Sequence, residues 1–192
     1  MTPRIALACR HLPVFQFREC HGIDGVRASP ESILDAIEIF DASNDRVLAA
    51  MLALRELPSR TAARFGRSSA LIGRGKFGLH EFTRLERTSD GIAFGLAGRF
   101  WRPDFGLEPV HDSAGFAAFR QAGAARLVMA FQVNRDPITG TCAILTETRV
   151  QCHDATARRL FTPYWFAIRP GSGFIRRRLL AGVRKAAESG AS

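Results

Sequence analysis

Apolar residues alternate along some stretches of the chain and recur every three or four residues along others. Residues 15–27 alternate, with Phe15, Phe17 and Ile23 on one parity, and predict a strand ending near Val26. Ser29-Pro30-Glu31 then supplies an N-cap hydroxyl, a proline at the first helical position and an acid in the first turn. Ile33, Ile37 and Phe40 continue it as a short amphipathic helix. Ser43-Asn44-Asp45 predicts a second helix, which Pro58 ends, and residues 59–78 read as an Arg/Ser/Gly-rich loop. Two strands, 79–87 and 92–101, flank Asp90-Gly91, a strong hairpin signal. Residues 104–122 predict a short edge strand and a turn of helix around Phe116 and Phe119. Strands over 125–135 and 141–153 follow, and Asp154 caps a long helix running almost to the C-terminus. Gly171 and Gly173 are expected to interrupt that helix, with Pro170 opening its second half. Strand, two short helices, a run of antiparallel strands and one long helix is an α+β order.

Composition changes this picture little. At 192 residues, with 46% hydrophobic and 23% charged, the chain suits one domain over 15–190, preceded by an N-terminal extension, 1–14. Folding at this size requires neither metal nor disulfide. The apolar run Ile5 to Cys9 is too short for a signal-peptide core and no window approaches a membrane span, so a cytoplasmic protein is expected. Cys9, Cys20, Cys142 and Cys152 are scattered thiols without C-x-x-C spacing, as in a reducing compartment.

Charge is the unusual feature. Lys and Arg number 27 against 18 acids, a formal +9. Much of the excess lies on the last helix: Arg158, Arg159, Arg176, Arg177, Arg178, Arg184 and Lys185 crowd the flanks of its apolar stripe. These read as a solvated face making weak, salt-sensitive contact with anionic membranes. Sequence-specific nucleic-acid binding is not expected, because no RNA-binding aromatic motif or helix-turn-helix accompanies them.

The chemical motifs are sparse. Gly73-Arg-Gly-Lys-Phe-Gly78 fits a dinucleotide loop in letters, but a strand follows it where a helix is required. Cys20-His21 and Cys152-His153 point to opposite faces of their strands, and no H-E-x-x-H or G-x-S-x-G occurs. No metal, cofactor or catalytic residue is predicted. Glu147 and Arg149 share one face of their strand; Thr146, Thr148 and Val150 share the other with Ile144. The acid and arginine are read either as an exposed ion pair or as a polar anchor at a pocket rim.

Three motifs carry a resemblance. Gly98-Arg99-Phe100-Trp101-Arg102-Pro103, Thr146-Glu147-Thr148-Arg149 and Tyr164-Trp165…Ile168-Arg169-Pro170-Gly171-Ser172-Gly173 occur in an order that resembles a bacterial group of START-like proteins. That group belongs to the SRPBCC superfamily of polyketide cyclases and the birch-pollen allergen. The likeness runs from about residue 15 to residue 188, although Gly25 to Ala28 replace the usual Pro-rich end of the first strand. It implies a helix-grip fold: a curved, seven-stranded antiparallel sheet around the C-terminal helix, with two short helices after the first strand. It implies a cavity between sheet and helix, and with it the binding of a small hydrophobic or amphipathic molecule. A cyclase or aromatase-type enzyme on the same cavity is the alternative. Candidate cavity residues are Phe94, Leu96, Met129 and Phe131 on the strands, and Arg99, Phe100 and Trp101 beyond the hairpin. Glu147 and Arg149 join them, as do Phe161, Tyr164, Trp165 and Ile168 on the helix.

Overall fold

The computed structural model describes residues 4–39, 81–102 and 106–190. The second short helix expected after Ser43, the basic loop and the Gly73–Gly78 motif lie outside the described residues. The described elements run α1 (Ala6–His11), β1 (Phe17–Val26), α2 (Pro30–Glu38), β2 (Thr83–Arg87), β3 (Gly91–Gly98), β4 (Leu107–Glu108), α3 (Ser113–Ala118), β5 (Ala125–Arg135), β6 (Cys142–Cys152) and α4 (Ala155–Ser189). The fold is α+β.

Local chemistry places the ends of these elements. Ser29 Oγ accepts the Ser32 amide at 3.1 Å to start α2, and Asp112 Oδ1 accepts Gly115 N at 2.6 Å to start α3. Asp154 divides its carboxylate between Ala157 N, which opens α4, and Gly123 N in the turn before β5. Gly98 ends β3 at φ +126°, and a Cβ there would stand 2.3 Å from the Gly106 carbonyl. The expected interruption of the last helix does not occur. The α4 backbone runs unbroken through Pro170, Gly171 and Gly173, because packing at both ends outweighs the local cost of those residues.

Among the described residues, six antiparallel strands form one open sheet in the order β1-β6-β5-β3-β2, with β4 paired to the end of β3. One face, called inner here, carries α2 and α4; the other, outer face carries α1 and α3. On the outer face, Leu7, Ala8 and Leu12 of the N-terminal segment are buried against Ala93, Val128, Ala130 and Phe116. The segment expected as an extension therefore covers the sheet.

The inner face holds two separate apolar clusters. One joins Ile33, Leu34 and Ile37 of α2 to Leu179, Leu180 and Val183 of α4 and to Ile92, Phe131 and Ile144. The other joins Ala157, Phe161 and Trp165 of α4 to Leu96, Phe100, Ala125 and Val150. Its rings meet edge-on: Phe17 to Phe161 at 4.9 Å and Phe100 to Phe161 at 5.7 Å between centroids. Burial of these two clusters holds α4 to the sheet. Phe161→Ala should cost about 3–5 kcal/mol, whereas Phe174→Ala, at a residue 42% exposed, should stay within about 0.5 kcal/mol. Urea unfolding of both variants checks the contrast. A chain ended after Asp154 should show no cooperative transition.

Candidate functional site

The residues proposed from sequence as cavity lining separate into three places. Phe94, Leu96, Met129, Phe131, Phe100, Phe161 and Trp165 belong to the inner-face clusters, with Trp101 and Tyr164 packed at their edge. Ile168 is half-buried farther along α4. Arg99 instead reaches the turn before β5, its Nε donating to Gly123 O at 3.2 Å and its Nη2 to Ala122 O at 3.0 Å.

Glu147 and Arg149 lie on the outer face, away from α4. They form neither an exposed pair nor a pocket rim. Glu147 is 0% exposed and Arg149 2%. Arg149 Nε donates to Glu147 Oε1 at 2.8 Å, and Arg18 Nε reaches the same oxygen at 2.6 Å. The pair holds α1 at both ends. Glu147 Oε2 accepts the Ile5 amide at the helix N-terminus at 2.8 Å. Arg149 Nη1 donates to Leu12 O at 3.0 Å and Ala8 O at 3.4 Å at its C-terminus. The carboxylate thus sits at the positive end of the helix and the guanidinium at the negative end. Phe15 covers the guanidinium, 4.5 Å from ring centroid to Cζ. Phe15 therefore faces outward, and the alternating parity with Phe17 fails because the strand begins only at Phe17. Arg126 does the same for α3, donating from Nη1 to Phe116 O and Ala117 O at 3.0 and 2.9 Å.

A second polar group crosses the inner face, between the two apolar clusters. Along β6 the inward residues run Cys142 and Ile144, then Thr146 and Thr148, then Val150 and Cys152. The first two belong to one apolar cluster and the last two to the other. Along β1, Glu19 and His21 lie between Phe17 and Ile23, and they pair across the strands with Thr148 and Thr146. Arg176 of α4 descends onto this belt. Its Nη2 donates to Thr148 Oγ1 at 2.6 Å, and its Nη1 lies 3.3 Å from Thr146 Oγ1 and 2.8 Å from Met129 Sδ. The expectation that Arg176 belongs to the solvated basic face is corrected here. It stands three residues before Leu179 and eleven after Trp165, on the apolar stripe itself.

The electrostatics of the two arginines differ. Arg149 has a carboxylate against it. Arg176 has three neutral acceptors and, among the described residues, no carboxylate at salt-bridge distance. Desolvation lowers its pKa to about 10, against a smaller opposing influence from Glu19. It nonetheless keeps some accessible surface. His21 Nε2 lies 3.0 Å from Glu19 Oε1, yet this buried nitrogen makes no hydrogen bond among the described residues. Gly173 brings the α4 backbone close here; a Cβ on it would lie 3.4 Å from His21 Cε1. Glu19 was not singled out from sequence, and His21 and Arg176 were named there only as half of Cys20-His21 and as part of the basic helix face. The signal was present, since Glu19 and His21 share the parity of Phe17 and Ile23.

Among the described residues no group of three His, Cys, Asp or Glu side chains could hold a metal ion. Burial pushes the Cys152 thiol up to about 11 and raises Cys142 as well, which disfavours their thiolates. What the belt offers is a cationic donor, two hydroxyls, a carboxylate and an imidazole inside an apolar interior.

Burial pushes the Glu147 carboxyl upward, but hydrogen bonds from Arg18, Ile5 N and Arg149 outweigh it and hold the group below the ordinary carboxylate range. A depressed carboxyl contributes stability that is complete above its unfolded pKa and is lost as pH falls through the folded value. Glu147→Gln should cost about 3–5 kcal/mol at neutral pH, by stranding a buried arginine. It should also flatten the acid limb of stability against pH, measured by urea unfolding between roughly pH 3 and pH 7. Neither a protein-family model nor a curated protein matches the chain.

Proposed function

We propose that this chain is a helix-grip protein of the START-like superfamily that binds a small apolar or amphipathic molecule between the inner face of its sheet and α4. The observation that carries the reading is the division of the inner apolar core into two clusters with partly accessible side chains between them. A tightly packed domain of this size closes its core into one cluster. Here Leu127, near the start of central strand β5, and Phe82 touch both clusters yet are only partly buried. Arg176, deep enough to be strongly desolvated, likewise keeps accessible surface. Interior side chains with residual accessible surface are what a ligand cavity presents. The sequence resemblance supports the same reading. Native mass spectrometry of the purified protein should show a non-covalent adduct that denaturation releases. If no adduct appears, and no compound of a lipid and polyketide library raises the melting temperature, the binding reading fails.

A cyclase or aromatase-type enzyme on the same surface would draw on Glu19 and His21 as its titratable groups. A separate observation favours contact with anionic membranes: Leu160, Phe166 and Phe174 stand 56%, 61% and 42% exposed on α4. Arg158, Arg159 and Arg177 are exposed on the same helix. Exposed apolar anchors among basic side chains suit a lipid surface rather than base readout. Phe166→Ser with Phe174→Ser should weaken affinity for phosphatidylglycerol vesicles at low salt, measured by co-sedimentation, by about thirtyfold, each buried apolar side chain contributing of order 1 kcal/mol. Unchanged binding would remove this reading.

A further inference from the structure

Arg176 raises a question that packing does not answer. A guanidinium carries five N–H donors. Three contacts, to Thr148 Oγ1, Thr146 Oγ1 and Met129 Sδ, engage Nη1 and one N–H of Nη2. Nε–H and the second Nη2–H have no acceptor among the described residues. Nε–H and Nη2 lie along one edge of the guanidinium, the edge by which arginine grips a carboxylate with two parallel hydrogen bonds. A buried charge left without a counter-charge costs stability, so Arg176 is better explained by what it binds than by what it holds in place.

We propose that the Thr146–Thr148–Arg176 belt is the seat for the carboxylate of an amphipathic acid whose apolar part lies against the adjoining clusters. The inference rests on the binding reading above and narrows its ligand class. Charge selects the head group. Glu19, paired across the strands with Thr148, already attracts the Arg176 guanidinium and repels added negative charge, so the seat favours a singly charged head group over a dianion. A monocarboxylate therefore fits where a phosphate dianion does not. Geometry agrees: the fork is planar, and the threonine hydroxyls that hold the other side of the guanidinium fix its orientation. His21, its Nε2 buried without a hydrogen-bond partner, stands next to the seat, across from Thr146. The apolar part has walls on either side: Phe17, Val150 and Trp165 toward the start of α4, Ile23, Ile144 and Leu179 toward its end.

The test compares decanoate with decan-1-ol by isothermal titration calorimetry. The two probes share an apolar chain and differ in the charged head. The wild-type protein should bind decanoate about tenfold or more tightly than the alcohol, as expected for a charge-assisted pair. Arg176→Gln should lower decanoate affinity to that of the alcohol and leave the alcohol within about twofold. Arg177→Gln, on the exposed face, should change neither, which separates the seat from surface arginines. Equal wild-type affinity for acid and alcohol overturns the carboxylate seat while the apolar binding reading stands. Binding of neither probe overturns both. The wild-type comparison needs no variant to fold, and circular dichroism checks the fold of Arg176→Gln.

Discussion

The middle of β6 is polar on both faces and buried on both faces, and the rest of the structure answers that constraint. Thr146 and Thr148 point one way, Glu147 and Arg149 the other, and each is less than a tenth exposed. A central strand in an open antiparallel sheet can leave one face to water. This one does not. The outer pair is covered by α1, whose terminal amide and terminal carbonyls are the groups the pair needs to satisfy its charge. The inner pair is covered by α4, which brings an arginine down to meet the hydroxyls. Helices lie on both sides of the sheet because neither set of polar groups could be buried alone.

The two buried arginines illustrate different uses of one side chain. Arg149 is engaged by a carboxylate, two backbone carbonyls, the Cys9 sulfur at 3.0 Å and the Phe15 ring. Its position is that of a structural clamp, since Nε, both N–H of Nη1 and one N–H of Nη2 have partners within the fold and a carboxylate stands against it. Arg176 is held on one side and open on the other. Burial weakens its hold on its proton, while the nearest acid opposes that effect only in part. Stability alone would favour a methionine or leucine at such a place on the stripe. Groups kept against stability are typical of binding and catalytic sites.

Depth and partial accessibility coincide at the belt. The inward rows of β1 and β6 both read apolar, polar, apolar, and on α4 Arg176 falls between Trp165 and Leu179. These three rows are in register because Glu19 and His21 pair with Thr148 and Thr146, and α4 passes close to His21 at Gly173. Three elements distant in sequence so place their polar residues at one height between two apolar layers. An amphipathic ligand has the same arrangement of apolar body and polar head.

The sequence by itself determined the local elements. Ser29, Asp112 and Asp154 start their helices because a short acceptor side chain satisfies the first free amides wherever the chain places it. The Asp90-Gly91 hairpin and the period-two rows of β3, β5 and β6 follow from turn chemistry and alternation, which act within a few residues. Alternation also put Glu147 with Arg149, and Thr146 with Thr148, on opposite faces. It could not say which face meets α4, because both rows are buried and period two is blind to direction. That decision belongs to the tertiary structure, through the pairing of β6 with β1 and β5 and the docking of α1, a six-residue helix too short to announce itself. Among the basic residues of the last helix, only packing turns Arg176 inward. Charge alone made it look like its solvated neighbours, and its place on the apolar stripe acquires meaning once the Thr146 and Thr148 hydroxyls stand opposite to receive it.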